Sequence, residues 1–257
     1  MKNNKSLGQH WLKNREILNE IAELARDNLN EETLCLEIGP GLGTLTSSLL
    51  RRFSQVIAVE YDERLAENLP KSFPGKNLQV VHDDILQIDI AKLTKNKPYV
   101  VVGNIPYYIT SPIVRKLLTV SPSPERIVLL MQKEVAERIA AEPSDHSLLS
   151  LFVQNQAEVE LGPVVKAEEF APPPKVDSQV IVITPLKELQ ISATALMLAS
   201  RGFSNPRKKL SANLADAEHT KADWENILQQ CSINPSARAQ DLDLWDWQEL
   251  SDFTKKS

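Results

Sequence analysis

The chain has 257 residues, a net charge of −5 at neutral pH and a pI near 5.5. Its hydrophobic content of 42% and charged content of 25% are those of an ordinary globular protein, and no apolar run approaches the ~20 residues that span a bilayer. The N-terminus lacks the apolar core of a secretory signal, and the two cysteines, Cys35 and Cys231, lie far apart, so a reduced, cytoplasmic protein is expected.

Helical and strand patterns alternate from residue 16 to about residue 186. Strands are predicted at 33–39, 55–60, 78–82, 98–104, 126–132 and 176–185, and helices at 16–29, 45–53, 64–69 (ended by Pro70), 112–120 and 133–142. Such alternation predicts an α/β fold with a mostly parallel, doubly wound sheet of the Rossmann-like type. Ligands of these sheets bind at the carboxyl ends of the strands, so the residues that follow each strand are the candidates for a site.

The pattern changes to helices alone after Pro185. Helices are predicted at 192–203, 206–217, 221–232 and 243–256, with Asn205 and Pro206 as the start of the second. The sequence therefore predicts an α/β domain over residues 1–186 and a small all-helical domain over residues 187–257.

A glycine-rich stretch, "LEIGPGLGTLT", joins the first predicted strand to a helix. It holds three of the eight glycines, Gly39, Gly41 and Gly43. Glycine permits a tight turn and lets a ligand approach the backbone closely. The stretch lacks the third glycine of the dinucleotide fingerprint G-x-G-x-x-G, which favours a nucleoside without phosphates over a pyrophosphate. A tight turn with no ligand is the alternative.

Acidic residues follow the next two strands. Glu60 lies 21 residues after Gly39, where an acid can accept both hydroxyls of a ribose. Asp83 and Asp84 follow the third strand in "HDDIL", where one carboxylate can accept a hydrogen bond from the amine of adenine. The pair also fits a helix N-cap, and the sequence leaves open which aspartate acts. No cluster of histidine and cysteine accompanies them, so no metal is expected.

These features in this order suit S-adenosylmethionine and favour a class I methyltransferase, with an NAD-dependent oxidoreductase as the competing interpretation. The stretch "NIPY", from Asn104 to Tyr107, distinguishes the two. An exocyclic amine is a poor nucleophile because its lone pair is delocalised into the ring. The Asn104 side-chain oxygen and the carbonyl of Ile105 or Pro106 would hold its two protons and turn the lone pair toward a methyl donor.

The other residues of this stretch suit the same reaction. Pro106 fixes a backbone angle and stiffens the loop. Tyr107 offers a ring face on which a base can stack, for ~1–3 kcal/mol. The neighbouring Tyr108 is left without a chemical role, and packing or an RNA contact is expected there. A packed asparagine–proline turn is the alternative to the whole assignment.

The chain resembles the ribosomal RNA adenine N6-dimethyltransferases nearly from end to end, and most of all those of the small subunit. The matching stretches, in family order, are "KSLGQHWL", "LEIGPGLGTLT", "VIAVEYD", "HDDIL", "VVGNIPYYITSPI", "LMQKEVAERI", "FAPPPKVDSQV" and "RGFSNPRKKLSANL". The resemblance implies dimethylation of two adjacent adenosines in the 3′-terminal hairpin of 16S rRNA, with S-adenosylmethionine as the methyl donor.

The resemblance also implies roles for individual residues. Those implied to contact the cofactor are His10, Leu12, Gly39, Gly41, Glu60, Asp84 and Asn104. Those implied at the target amine are Asn104, Pro106 and Tyr107, with Phe170 as a second aromatic that sandwiches a flipped base. The chain departs from the family pattern at Trp11, where phenylalanine is usual, and at 144–154, where a basic residue is lost.

Two basic clusters, in residues 1–15 and in residues 201–209, are candidates for a local RNA surface on an acidic chain, and ordinary solvated faces are the alternative. The expected partner is the 16S rRNA of the small ribosomal subunit, the expected state is a monomer, and no membrane association is expected. Two alternatives stay open. One is the large-subunit (23S) enzyme that confers antibiotic resistance, and the other is a non-catalytic RNA-binding or ribosome-assembly factor on the same fold.

Overall fold

The computed structural model describes residues 10–106 and 109–256. The strands are β1 Trp11–Leu12, β2 Leu34–Ile38, β3 Val56–Glu60, β4 Leu78–His82, β5 Tyr99–Asn104, β6 Arg126–Gln132, β7 Ala157–Val165, β8 Phe170–Ala171 and β9 Ser178–Pro185. The helices are α1 Arg15–Arg26, α2 Thr44–Leu49, α3 Glu63–Asn68, α4 Ile90–Thr94, α5 Thr110–Thr119, α6 Lys133–Ile139, α7 Leu148–Gln154, α8 Ala193–Gly202, α9 Leu210–Leu214, α10 Lys221–Gln230 and α11 Leu244–Lys256.

Within the described residues, seven strands form one sheet in the order β4-β3-β2-β5-β6-β9-β7. Neighbouring strands from β4 to β6 are parallel, and β9 runs antiparallel to β6. The predicted α/β sheet is confirmed. The chain order reverses between β2 and β5, and a ligand of such a sheet binds in the crevice at this reversal.

The central strands are buried on both faces, as their near-continuous apolar sequences require. Every residue of β2 and β3 is buried, and α1 covers the sheet with its apolar stripe. Asn14 caps α1 by accepting hydrogen bonds from Glu16 N and Ile17 N. The sheet thus holds its carboxyl ends in fixed register, which positions the residues that follow each strand.

A second, two-stranded sheet joins distant parts of the chain. β1 pairs antiparallel with β8, with Leu12 opposite Phe170. Both side chains are 1% exposed and belong to the main hydrophobic core. This pairing ties the segment around residue 11 to the segment around residue 171.

Most predicted elements are confirmed, with shifts at their ends. The helix expected from Pro206 begins instead at Leu210 and ends at Leu214, and Asn205 is not its cap. The sequence patterns did not predict β1, β7, β8, α4 or α7. β1 and β8 span two residues each, and β7 contains glycine and proline, so none shows the period of a regular strand.

The chain divides into two compact units, one formed by the described residues up to Ala136 with Glu158–Pro185, and one by Glu137–Ala157 with the residues from Leu186 onward. The second unit has its own core, in which Leu151 and Trp247 are fully buried. Asn155 Oδ1 accepts a hydrogen bond from Ile191 N at 2.7 Å within this unit. The domain boundary at residue 186 stays a prediction.

Among the described residues, no helix combines the length and the apolar character needed to cross a membrane.

Candidate functional site

A cavity of about 380 Å³ lies where β2, β3, β4 and β5 end. The predicted residues that line it are His10, Gly39, Gly41, Glu60, Asp84, Asn104 and Pro106. These residues come from five separate stretches of the chain, and the sheet brings them together at the reversal of strand order. The volume falls within the range of small-molecule sites, about 300–1,000 Å³.

Two of the predicted residues, Leu12 and Phe170, are not among the described residues that line this cavity. Leu12 and Phe170 are both buried in the core, and the structure gives no support for stacking of the Phe170 ring on a base because that ring is 1% exposed. Tyr107 lies outside the described residues, as do Tyr108 and residues 1–9. The roles assigned to these residues stay predictions.

The glycine loop follows β2 in a left-handed backbone. Gly39, Gly41 and Gly43 have φ of 64°, 57° and 82°, a region that side chains disfavour. Their three amides already donate within the protein, to Val59 O at 2.9 Å, to Glu60 Oε2 at 3.0 Å and to Pro40 O at 2.9 Å. The loop is therefore a floor for a ligand rather than an anion-binding nest, which agrees with a ligand that has no phosphate here.

Glu60 ends β3 and is held rigidly by the backbone. Its Oε2 accepts from Gly41 N at 3.0 Å and its Oε1 from Asp62 N at 2.8 Å. Burial raises the pKa of this carboxyl, and the two backbone hydrogen bonds oppose the rise. Each carboxylate oxygen has a second acceptor site, so Glu60 can still accept hydroxyl groups from a ligand in the cavity.

The acidic loop after β4 forms another wall. Asp83 Oδ1 accepts from Asp84 N at 2.7 Å, and Asp84 Oδ1 accepts from Leu86 N at 2.9 Å. Both aspartates line the cavity, so the choice between them stays open. Lys116 on α5 braces this loop from behind, with Nζ donating to Ile88 O at 2.6 Å. Burial lowers the pKa of Lys116, and Asp84 and Asp83 oppose that shift.

Asn104 ends β5 with its side chain oriented by the N-terminal segment. Its Nδ2 donates to His10 O at 2.9 Å, and His10 Nδ1 donates to Pro172 O at 2.8 Å. Because the amide nitrogen is engaged, the amide oxygen is the group that this side chain can offer as an acceptor. Gly103 permits the close approach of β5 to β2, since a Cβ there would lie 2.9 Å from Ile38 O.

The comparisons with known proteins assign this arrangement to a family. Residues 1–256 match the family described as ribosomal RNA adenine dimethylase. The chain belongs to this family. A ribosomal RNA small subunit methyltransferase A from Rippkaea orientalis is 42% identical over 95% of this chain and 94% of its own length.

Solved structures agree on the fold, which is that of the class I methyltransferases. A dimethyladenosine transferase from Plasmodium falciparum is 28% identical with a TM-score of 0.79, over 95% of this chain and 98% of its own. The 23S rRNA methyltransferase ErmE is 29% identical with a TM-score of 0.76, over 94% of this chain and 98% of its own. The solved structures that resemble this chain therefore include one whose name states a 23S rRNA substrate.

This member of the ribosomal RNA adenine dimethylase family has a buried acid that the sequence patterns missed. Glu37 lies in β2 and is 1% exposed, with Oε2 accepting from Thr46 Oγ1 at 2.7 Å and Oε1 left without a hydrogen-bond partner. Burial raises its pKa to about 8. The sequence did carry one signal, a single acid inside the otherwise apolar strand "LCLEI". The strand pattern predicts that this residue is buried but does not explain why it is an acid.

Two aromatic residues in the cavity wall were also missed. Trp11 packs against the glycine loop, since a Cβ on Gly41 would lie 2.9 Å from its Nε1. Tyr61 directly follows Glu60 and is 62% exposed at the cavity. The sequence marks Trp11 only as a departure from the usual phenylalanine, because the distance of Trp11 from Gly41 depends on the pairing of β1 with β8.

The donor and acceptor groups of the wall fit S-adenosylmethionine. Glu60 and the two aspartates of the acidic loop supply carboxylate oxygens, the kind of acceptor that ribose hydroxyls and an adenine amine require. Glu37, whose Oε1 has no hydrogen-bond partner, lines a void of about 20 Å³ that shares Gly39 and Asn104 with the main cavity, and a cationic group beside it would favour the ionised carboxylate. The expectation that no metal takes part stays a prediction.

Proposed function

We propose that the protein is an S-adenosylmethionine-dependent ribosomal RNA adenine N6-dimethyltransferase. Its substrate would be the 16S rRNA of the small subunit, with two adjacent adenosines of the 3′-terminal hairpin methylated during ribosome biogenesis. The family match over residues 1–256 and relatives named ribosomal RNA small subunit methyltransferase A at 38% and 42% identity support this proposal.

One observation supports the chemistry more than any other. Asn104 lines the same cavity as Glu60 and Asp84, and its Nδ2 is engaged with His10 O at 2.9 Å. Its Oδ1 is then the acceptor for one proton of the target amine. The Pro106 carbonyl already accepts from Ile109 N at 3.2 Å, which favours the Ile105 carbonyl as the acceptor for the second proton.

These two acceptors would act by orientation. When both of its protons are held, the amine turns its lone pair out of conjugation with the ring and along the line of attack. Positioning of this kind is a large part of the rate enhancement available to an enzyme. Bound S-adenosylmethionine supplies a methyl group activated by a sulfonium. No side chain needs to act as a strong base before the attack, which agrees with an amide at this position.

The remaining walls would hold the cofactor. Glu60 would accept hydrogen bonds from the ribose hydroxyls, and Asp84 would accept one from the adenine amine. The loop of Gly39 and Gly41 would lie beneath the methionine end of the cofactor. His10 contributes by holding Asn104, and Leu12 by anchoring His10 through its pairing with Phe170. Tyr107 remains the proposed stacking partner of the base. Phe170 would need to leave the core to join it.

The large-subunit enzyme is the second candidate because of the similarity to ErmE, whose name states a 23S rRNA substrate. Mapping dimethyladenosine in both ribosomal RNAs after deletion of the gene tests the choice. We expect loss from the small-subunit RNA alone. Loss from the large-subunit RNA would refute the small-subunit assignment while leaving the enzyme class intact.

The non-catalytic alternative is tested by cofactor binding. Calorimetry with S-adenosylmethionine should give a saturable signal with the purified protein, and no heat would favour a binding factor without activity. A monomer in the cytoplasm that binds the small subunit is the expected working form. Its helical domain and the basic residues near Arg207 would provide the RNA surface.

A further inference from the structure

Trp11 is the residue of the cavity wall that neither the family pattern nor the proposed reaction explains. It lines the cavity together with Gly39 and Gly41. Its pyrrole edge faces the glycine loop, with Nε1 and Cδ1 at 2.9 and 3.1 Å from the point that a Cβ on Gly41 would occupy. The indole nitrogen therefore lies against Gly41, one of the residues that line the cavity.

The hydrogen bonding of the glycine loop leaves few donors for a ligand. The amides of Gly39, Gly41 and Gly43 all donate to acceptors within the protein. Among the described residues, none accepts a hydrogen bond from Trp11 Nε1. An indole N–H is a donor only, so an unpaired one in a wall suits an acceptor on the ligand.

An acceptor without a partner lies close by in the same wall. Glu37 Oε1 has no hydrogen bond, and Glu37 and Trp11 border the same void of about 20 Å³ behind the glycine loop. A donor and a carboxyl oxygen on two residues that line one void match a zwitterion, whose carboxylate would take the donor and whose ammonium would favour ionised Glu37 as its acceptor. The amino-acid end of S-adenosylmethionine is such a group.

We propose that the Trp11 indole N–H donates a hydrogen bond to the carboxylate of the methionine moiety of the cofactor. This inference rests on the proposed function, since it assumes that cofactor. It assigns Trp11 a specificity-determining role that a phenylalanine at this position cannot perform. The apolar body of the ring would still cover Gly41 in either case.

The test compares two ligands and two variants by calorimetry. S-adenosylhomocysteine carries the carboxylate and the ammonium, whereas 5′-methylthioadenosine lacks both. Trp11→Phe keeps a ring against Gly41 and removes the N–H. Trp245→Phe, in the helical unit where Trp245 is 61% exposed, is the matched control for the same change of side chain.

The expected result is a selective loss. Trp11→Phe should lower the affinity for S-adenosylhomocysteine about tenfold, as expected for the loss of a hydrogen bond to a charged group. The affinity for 5′-methylthioadenosine should stay within about twofold of that of the unaltered protein. Trp245→Phe should change neither. Unaltered binding of the nucleoside by Trp11→Phe also shows that the variant is folded.

Other results overturn the inference in distinguishable ways. An equal loss of affinity for both ligands would mean that Trp11 only packs, and unchanged affinity for S-adenosylhomocysteine would mean that no such hydrogen bond forms. Either result leaves the proposed function standing. Failure of the unaltered protein to bind S-adenosylhomocysteine would overturn both the inference and the cofactor on which the proposed function depends.

Discussion

The side chain of Asn104 donates a hydrogen bond from Nδ2 to the main-chain carbonyl of His10, at 2.9 Å across 94 positions of sequence. This bond fixes which end of the amide is available to a substrate. It also makes the position of Asn104 depend on the segment that carries β1. Orientation at the site is thus set by a contact between the end of β5 and a stretch far from it in the chain.

Replacement of Asn104 by alanine should reduce methyl transfer about a hundredfold or more, because one of the two acceptors for the target amine is lost. Binding of S-adenosylhomocysteine and the midpoint of thermal unfolding should change far less. Single-turnover methylation with radiolabelled cofactor measures the effect. Turnover at the level of the unaltered protein would refute the positioning role.

Replacement of Glu37 by glutamine should change how stability depends on pH. Burial raises the folded-state pKa of Glu37 from 4.5 to about 8, so between these values the folded state retains a proton that the unfolded state releases. Stability of the unaltered protein therefore falls as pH rises through this window, by at most about 1.4 kcal/mol per pH unit from this group. Glutamine mimics the protonated acid and removes that contribution.

Urea unfolding of the cofactor-free protein at pH 5.5 and pH 8 measures this. The free energy of unfolding of Glu37→Gln minus that of the unaltered protein should increase toward pH 8. A difference that stays constant across the window would show that Glu37 does not retain its proton on folding.

Replacement of Gly41 by alanine should weaken cofactor binding and destabilise the fold. Gly75 offers a matched control, because both glycines have positive φ, at 57° and 72°, but a Cβ on Gly75 meets nothing within 4 Å. Gly75→Ala should lower the free energy of unfolding by about 1–2 kcal/mol, because alanine disfavours a positive φ, and should leave the cofactor affinity unchanged. Gly41→Ala adds a clash with Trp11. Equal effects of the two substitutions on affinity would mean that the indole does not pack on the glycine loop.

Replacement of Lys116 by methionine should loosen the loop that carries Asp84, since the bond from Nζ to Ile88 O is lost. We expect cofactor KM to rise severalfold with a smaller fall in kcat, and Lys116→Arg to restore part of the loss. Lys92→Met, an exposed lysine on α4 next to the same loop, is the control. A fall in kcat at unchanged KM would contradict a role through the cofactor wall.

The parts of the site that follow strands were predictable from the sequence. Gly39, Glu60 and Asn104 end predicted strands and Asp84 lies two residues beyond one, and in a parallel sheet those positions share one edge whatever the details of packing. Their grouping around one cavity needed only the strand pattern. The positive φ angles of the loop agree with its glycines, because glycine adopts this backbone region without a steric penalty.

Other features depend on contacts that local patterns do not encode. The pairing of Leu12 with Phe170 joins two-residue strands far apart in sequence, so no local pattern predicts that the Phe170 ring is buried in the core. Glu37 looked like part of an apolar strand, and its unpaired oxygen depends on how α2 places Thr46. A place for Trp11 in the cavity wall could not be predicted either, because it depends on the contact between the indole ring and Gly41.

The most direct test of the account is methyl transfer by the purified protein to small ribosomal subunits that lack dimethyladenosine, followed by nuclease digestion and mass spectrometry. Large subunits and naked small-subunit RNA serve as comparisons. The account predicts N6,N6-dimethyladenosine at two adjacent adenosines of the 3′-terminal hairpin of 16S rRNA, formed only when S-adenosylmethionine is supplied. Methyl groups found solely in large-subunit RNA, or in neither RNA under conditions where the cofactor binds, would contradict it.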